Sequence, residues 1–228
     1  MGVNTIIFDI DETLVEKEVF PENIELFREK IIFLKEHGYS FGICTLRPFE
    51  EFVKLIVDTY LINDYIICEG GANVYKKDGD NYILIKNLTG ININEFVKTK
   101  IKEFNDKEFI YNDKRMSSCS IKGDVDDELV EYLSGLNELN DFMIVRKNNK
   151  IYINSKYINK VSTINNLFEG RNVIFISDYE RYISIPNDNV VMCSVGVDEE
   201  FNKKCHYVFD KSYNGVLKIL KKEGMKYE

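Results

Sequence analysis

The chain has 228 residues, of which 44% are hydrophobic and 30% are charged, and its formal net charge is −8 at pH 7. This length allows one large domain, or a core domain that carries a smaller inserted one. The composition is typical of a soluble globular protein. The negative charge disfavours a nucleic-acid partner, whose phosphate backbone needs a basic surface, although local cations can still bind a small anionic substrate.

The five cysteines are scattered, with no CxxC pair and no metal-ligand spacing. This pattern predicts reduced thiols and a cytoplasmic location. The longest apolar runs have the length of strands, well short of the ~18 residues of a membrane-spanning helix. We therefore expect no membrane association.

An apolar, strand-forming segment near the N-terminus leads into the acidic sequence Asp9-Ile10-Asp11-Glu12-Thr13. Residues i and i+2 of an extended chain point to one face, so Asp9 and Asp11 should lie close together where the strand ends. Two carboxylates that close favour a Mg²⁺ ion between them or a proton on one of them. One Asp could then attack phosphorus while the other moves a proton. The alternative is an acidic turn after a buried strand, in which Asp11 or Thr13 caps a local bend.

Helices and strands alternate in the next part of the chain. The predicted elements are, in order, a helix that follows Pro21 and ends at Gly38, a strand over 39–44, a helix from Pro48 to about Tyr60, a strand over 65–68 and a hairpin over 74–85. This βαβα order is typical of a parallel sheet with helices packed on it. Ligands bind at the carboxyl ends of such strands, and both the Asp9–Asp11 loop and Thr45 fall at such ends.

From about Gly90 the order changes. The predicted elements are a helix over 93–104, strands over 109–111 and 116–121, a helix over 125–139, and strands over 142–146 and 150–154. This αββαββ order is an α+β unit. We therefore predict an inserted domain over 87–155, with 1–86 and 156–228 forming the core domain.

The alternation of strands and helices then resumes. The predicted elements are a helix capped by Asn159 and closed by Gly170, strands over 172–177, 190–195 and 207–209, and a closing helix over 214–223. The first of these strands ends at Ser177-Asp178. A third acidic residue therefore stands at a predicted strand end, although Asp178 could instead cap the segment that follows.

These segments resemble the motifs of the haloacid dehalogenase (HAD) superfamily, specifically its Cof-like branch, which carries an α+β cap domain between its second and third motifs. The first motif, DxDxT, is matched by Asp9 to Thr13. The second, a Ser or Thr that ends the next strand, is matched by Thr45, and the Thr-Gly-Arg of the branch appears as Thr45-Leu46-Arg47. The resemblance implies an α/β fold, a doubly wound parallel-sheet (HAD-like Rossmannoid) core with an inserted α+β cap.

The remaining motifs lie after the predicted cap. The third, a Lys just before a helix, is best matched by Lys160, with Lys156 as an alternative, and Ser177-Asp178 matches the opening Gly-Asp of the fourth. The branch has a second Asp four residues later, where this chain has Tyr182.

The resemblance implies a Mg²⁺-dependent phosphatase that hydrolyses a small phosphorylated metabolite through an aspartyl-phosphate intermediate. The implied catalytic residues are the nucleophile Asp9, the general acid and base Asp11, and Thr45 and Lys160, which bind the phosphoryl oxygens. Substrate-binding candidates are Thr13 and Arg47, although Arg47 also fits a structural charge. Asp9, the backbone carbonyl of Asp11, and Asp178 are the implied Mg²⁺ ligands.

Two alternative functions and one question about the predicted cap remain open at this point. A phosphotransferase or mutase on the same scaffold would pass the phosphate to a hydroxyl group. Tyr182 also allows a protein that binds a phosphorylated ligand with weakened catalysis. Lys114-Arg115, in the predicted cap, could meet an anionic substrate or form a charged turn. We expect a monomer or a homodimer.

Overall fold

The computed structural model describes residues 4–104, 107–179 and 188–227. The strands are β1 (Thr5–Phe8), β2 (Ser40–Cys44), β3 (Tyr65–Cys68), β4 (Asn73–Asp78), β5 (Asn81–Asn87), β6 (Ile110–Tyr111), β7 (Cys119–Lys122), β8 (Phe142–Lys147), β9 (Lys150–Ser155), β10 (Val173–Ser177), β11 (Val190–Ser194) and β12 (Tyr207–Val208). The helices are α1 (Ile24–Glu36), α2 (Glu51–Tyr60), α3 (Ile93–Phe104), α4 (Asp127–Ser134), α5 (Lys160–Leu167), α6 (Glu199–Asn202) and α7 (Ser212–Gly224).

Eight of these strands form one sheet in the order β12-β11-β10-β1-β2-β3-β4-β5. The strands from β12 to β3 pair in parallel, and β4 and β5 extend the sheet as an antiparallel hairpin. The predicted α/β fold with a parallel sheet at its centre is confirmed. No helix in the described part of the chain is both long enough and apolar enough to cross a bilayer.

Alternation along β1 distributes its side chains between two apolar clusters. Ile6 and Phe8 belong to a large cluster with α1, α2 and α7. Ile7 belongs to a second cluster that includes Val161 and Ile164 of α5. Since successive strand residues point to opposite faces, the position after Phe8 lies on the face that α5 covers. This parity decides which helix can reach Asp9.

The second sheet is antiparallel, in the order β6-β7-β9-β8. One face of this sheet packs on α3 and α4. Together they form a third apolar cluster, whose buried members all lie between Ile93 and Ile153. The unit therefore has a core of its own. The bounds 87–155 for an inserted domain remain a prediction.

The predicted helices differ from the observed ones mainly at their ends. The helix predicted over 93–104 is α3, with the same bounds. The helix predicted over 125–139 divides into α4 and a 3₁₀ turn over Asn137–Leu139. The break comes at Gly135, a residue type that weakens a helix because it loses the most backbone entropy.

The strand predicted over 116–121 begins only at Cys119. The backbone N–H groups of Met116 and Ser117 donate instead to the carboxylate of Glu69, in the eight-stranded sheet unit. A long-range contact has therefore replaced the local strand preference of this segment.

The 3₁₀ turn that follows β3 contacts the start of α5 at Gly71. Gly71 has a φ of 111°, and a Cβ atom there would lie 2.5 Å from Thr163 Oγ1 and 2.7 Å from the Asn159 carbonyl oxygen. We expect Gly71→Ala to lower the free energy of unfolding by about 2–4 kcal/mol, because both its backbone and its packing would be strained.

Gly79→Ala is the matched control for this variant. Gly79 has a φ of 60° and no atom within 4 Å of an added Cβ, so its substitution should cost only about 1 kcal/mol of left-handed backbone strain. Urea denaturation of both variants measures the difference. Equal losses would show that the contact with α5 contributes nothing.

Candidate active site

Three neighbouring parallel strands end at one edge of the large sheet. β1 lies between β10 and β2, and the residues that follow the three strands include Asp9, Thr45 and Asp178. Parallel strands direct their carboxyl ends to the same edge. The topology therefore brings together three predicted site residues that are far apart in the sequence.

Asp9 forms a buried ion pair with Lys160. The Lys160 Nζ donates to Asp9 Oδ2, and the two residues are only 3% and 5% exposed. Asp9 Oδ1 accepts the backbone N–H of Ile10 at 2.7 Å, and Ser177 Oγ lies 3.1 Å from Oδ2. Lys160 can reach this position because it is the first residue of α5, on the face to which Asp9 points. Burial of either charge without the other would cost several kcal/mol.

The other candidate lysine lies elsewhere. Lys156 Nζ donates to the carbonyl oxygen of Asn140 at 2.7 Å and is exposed. The start of α5 is fixed by a capping box in which Asn159 and Ser162 exchange side-chain and backbone hydrogen bonds. Of the two lysines, the structure places Lys160 against Asp9.

Thr13 joins the acidic loop to Asp178. The buried Thr13 hydroxyl accepts the backbone N–H of Asp178 at 3.0 Å and lies 3.4 Å from Asp178 Oδ1. On the opposite side, a Cβ at Gly196 would lie only 1.7 Å from the Asp178 carbonyl oxygen. Burial raises the pKa of Asp178 to about 6; the charge of Asp9 adds to this rise and that of Lys160 opposes it.

Arg47 binds the second aspartate of the acidic loop. Its Nη2 lies 2.8 Å from Asp11 Oδ1 and its Nε lies 3.0 Å from Oδ2, while Nη1 lies 2.7 Å from Glu18 Oε1. The hydrogen bond to Asp11 raises the pKa of the guanidinium above its ordinary value. The backbone N–H of Arg47 donates to the buried Thr45 hydroxyl at 3.2 Å. Arg47 therefore orients Asp11 in this structure, and its contact with substrate remains a prediction.

Glu69 is a site residue that sequence reasoning missed, because the segment was assigned to a turn. Glu69 is 7% exposed, and its carboxylate accepts four hydrogen bonds. The donors are the Asn73 side chain at 2.7 Å and Met116 N–H at 2.9 Å on Oε1, and Ser117 N–H at 3.1 Å and Ser118 Oγ at 2.6 Å on Oε2. The sequence did contain a signal that could have identified this residue: an acidic side chain between a buried strand and two glycines. Glu69 anchors the segment before β7 to the edge of the large sheet.

A cavity of about 440 Å³ lies between this edge and the second sheet. Lys160, Glu69 and Leu46 line it on the side of the large sheet. Residues of β8 and β9, with Arg115, line it on the other side. A cavity of this volume suits a small organic molecule, and Lys160, the partner of Asp9, lies at its wall.

The acidic residues fit an oxygen-ligated divalent cation. Among the described residues no three His, Cys, Asp or Glu side chains cluster as a metal site. Two carboxylates and a backbone carbonyl nevertheless suit Mg²⁺, which keeps several water ligands. The raised pKa of Asp178 reflects burial and like charge that such a cation would offset. Tyr182 lies outside the described residues.

The sequence model of the haloacid dehalogenase-like hydrolase family matches residues 6–120, half of the chain. The chain belongs to this family. The resemblance predicted from the sequence motifs is thereby confirmed. No curated protein sequence matches this HAD-like hydrolase significantly.

Solved structures share the fold of this HAD-like hydrolase at low identity. A haloacid dehalogenase-like hydrolase from Bacteroides thetaiotaomicron is 16% identical, with a TM-score of 0.68 over 96% of this chain and 99% of the other. The trehalose-6-phosphate phosphatase of Aspergillus fumigatus is 12% identical, with a TM-score of 0.63 over 97% and 92%. A HAD subclass IIB sugar phosphatase is 19% identical, with a TM-score of 0.58 over 97% and 99%.

The raised pKa of Asp178 predicts a pH-dependent stability of the metal-free protein. An aspartate whose folded pKa is about 6, against ~3.9 when unfolded, binds more protons in the folded state between these values. Stability therefore falls as pH rises from about 4 to 6 through this group. Asp178→Asn removes the effect, so at pH 7 the variant should be more stable than wild type by about 1–2 kcal/mol.

Chemical denaturation in a chelator between pH 4 and 8 measures this difference, which should shrink toward pH 4. Asp141→Asn, at an exposed position, is the control and should change stability by less than about 0.5 kcal/mol. An Asp178→Asn variant that is less stable than wild type at pH 7 would contradict the expectation.

Proposed function

We propose that this HAD-like hydrolase is a Mg²⁺-dependent phosphatase that hydrolyses a small phosphorylated metabolite, a sugar phosphate or a similar phosphomonoester. The observation that carries the proposal is the buried Asp9–Lys160 pair, whose lysine lines the cavity between the two sheets. The names of two structural neighbours, a sugar phosphatase and a trehalose-6-phosphate phosphatase, support the substrate class.

Asp9 is the proposed nucleophile. A carboxylate oxygen of Asp9 forms a bond to phosphorus while the bond from phosphorus to the leaving oxygen breaks, which produces an aspartyl-phosphate. Lys160, which already binds Asp9, stabilises the negative charge of the phosphoryl oxygens. The Thr45 hydroxyl accepts a hydrogen bond from Arg47 N–H, so its own proton can be donated to a phosphoryl oxygen.

Asp11 is the proposed general acid and base. It gives a proton to the leaving oxygen and later takes one from the water that hydrolyses the aspartyl-phosphate. The bidentate contact with Arg47 fixes the orientation of this carboxylate. We therefore propose that Arg47 positions Asp11, in addition to the substrate contact predicted from the sequence.

The proposed Mg²⁺ ligands are Asp9, the backbone carbonyl of Asp11, and Asp178. When bound, the cation neutralises charge on the phosphoryl group and favours its transfer. Thr13 supports this arrangement because it holds the backbone of Asp178 against the acidic loop. The second sheet covers the cavity and excludes water from the transfer step. A cytoplasmic location and a monomeric or homodimeric state remain predictions from the sequence.

Substitution of Asp9 tests the nucleophile. We expect Mg²⁺-dependent phosphate release from an aryl phosphate and from sugar phosphates in wild type, and a loss of at least about 10³-fold in kcat for Asp9→Asn, because the amide is a poor nucleophile. Asp9→Asn leaves the buried Lys160 without its charged partner, so circular dichroism must show that the variant folds. Full activity of a folded Asp9→Asn variant would overturn the proposal.

Substitution of Asp11 supplies an independent test. The Asp11 side chain is 48% exposed, so Asp11→Asn should fold normally. An aryl phosphate needs little help from an acid to leave, whereas hydrolysis of the intermediate needs the base. We therefore expect Asp11→Asn to accumulate the aspartyl-phosphate, visible by mass spectrometry as one added phosphoryl group on Asp9.

The decay of this phosphorylated form distinguishes the alternatives. Decay in water indicates a phosphatase, and decay that depends on an added sugar indicates a phosphotransferase. Binding of sugar phosphates without any turnover by wild type would indicate a protein whose catalysis is weakened.

A further inference from the structure

Arg115 stands on the wall of the cavity opposite the large sheet, in the segment between β6 and β7. Its Nη1 donates to Ser118 Oγ at 2.8 Å, while its Nε is buried and has no acceptor among the described residues. In the part of the chain that the structure describes, this guanidinium forms no ion pair. A buried donor without an acceptor is destabilising, and a bound acceptor would remove this cost.

Glu69 cannot act as this acceptor. Its two carboxylate oxygens already receive four donors. One of these donors, Ser118, links the two charged groups, because its hydroxyl accepts from Arg115 and donates to Glu69. Glu69 and Ser118 therefore hold the guanidinium in place without neutralising it at short range.

The rest of this wall is mixed, with apolar side chains beside the polar side chains of Lys147, Asn154 and Ser155. Met143 and Val145 of β8 and Tyr152 of β9 line the cavity. The neighbours of Tyr152 along β9, Ile151 and Ile153, are buried in the cluster with α3 and α4. This alternation follows from the two-residue period of a strand. The wall thus offers apolar surface for the carbon skeleton of a ligand, with the partly unsatisfied guanidinium of Arg115 beside it and Lys147 as a second cation in the lining.

We propose that the leaving group of the substrate carries a second anionic group, a carboxylate or a phosphate, which binds to Arg115. This inference rests on the proposed phosphatase function, in which Lys160 binds the phosphoryl group that is transferred. The planar fork of an arginine matches both anions with two parallel hydrogen bonds. Arg115 is then a specificity-determining residue, because an uncharged substrate leaves its buried N–H unpaired.

Three phosphorylated six-carbon compounds test this inference. Glucitol 6-phosphate and 6-phosphogluconate differ only by a hydroxymethyl group in place of a carboxylate, and glucitol 1,6-bisphosphate presents a phosphate at the same end. We expect wild type to prefer one or both anionic compounds by about tenfold or more in kcat/KM over glucitol 6-phosphate. The compound preferred tells which anion Arg115 binds.

The variants are Arg115→Met, Arg115→Lys and, as control, Arg146→Met. Arg146 is an arginine of the same sheet whose guanidinium pairs with Asp127 outside the cavity. We expect Arg115→Met to abolish the preference, Arg115→Lys to retain part of it as a point charge, and Arg146→Met to keep the wild-type ratio. An equal loss on all three compounds would show a structural role and overturn the inference.

A binding measurement separates this inference from the proposed function. If an aryl phosphate is hydrolysed but wild type shows no preference among the three six-carbon compounds, the inference fails and the phosphatase proposal stands. If nothing is hydrolysed, the phosphatase proposal fails. Calorimetry then compares the affinities of 6-phosphogluconate, glucitol 1,6-bisphosphate and glucitol 6-phosphate for wild type and Arg115→Met. Tighter binding of an anionic compound that disappears in Arg115→Met supports the anion site, and equal affinities overturn it.

Discussion

The buried ion pair between Asp9 and Lys160 is the constraint on which the rest of the site depends. Two charges removed from water are tolerated only when their geometry is good and their remaining hydrogen bonds are met. The fold supplies this geometry in two ways. Strand alternation turns Asp9 toward α5, and the capping box of Asn159 and Ser162 makes Lys160 the first residue of that helix. Ile10 N–H and the Ser177 hydroxyl complete the surroundings of the carboxylate. A displacement of β1 by one residue would turn Asp9 away from this lysine.

Sheet topology then places the other polar groups around this pair. The acidic loop after β1 is tied to the segment after β10 through Thr13 and Asp178, residues 165 positions apart. It is tied to the segment after β2 through Asp11 and Arg47. The close approach of Gly196 to Asp178 leaves no room for a side chain at that position. Hydrogen bonds and close packing therefore hold this edge of the sheet, where phosphoryl transfer would need fixed groups.

The second sheet contributes the wall of the cavity that faces the large sheet. Glu69 anchors this unit to the large sheet with a fully occupied carboxylate, and the same network orients Arg115 through Ser118. Structural neighbours keep the overall fold at 12% to 19% identity. Specificity therefore has to be inferred from the cavity of this chain, which Arg115 lines together with apolar and polar side chains.

The sequence by itself determined the α/β class, the family and the residues at the strand ends, because these depend on local patterns: hydrophobic periodicity, the DxDxT spacing, and caps such as Asn159. It also favoured Lys160 over Lys156, since only Lys160 stands at a helix start. Tertiary structure alone decided the start of β7 and the hydrogen-bond partners of Arg47, Glu69 and Arg115. These depend on which donors meet which acceptors across large separations, as between Glu69 and Met116, 47 residues apart. Local propensity carries no information about such pairings, because the requirement that buried polar groups find partners is met only once the chain has folded.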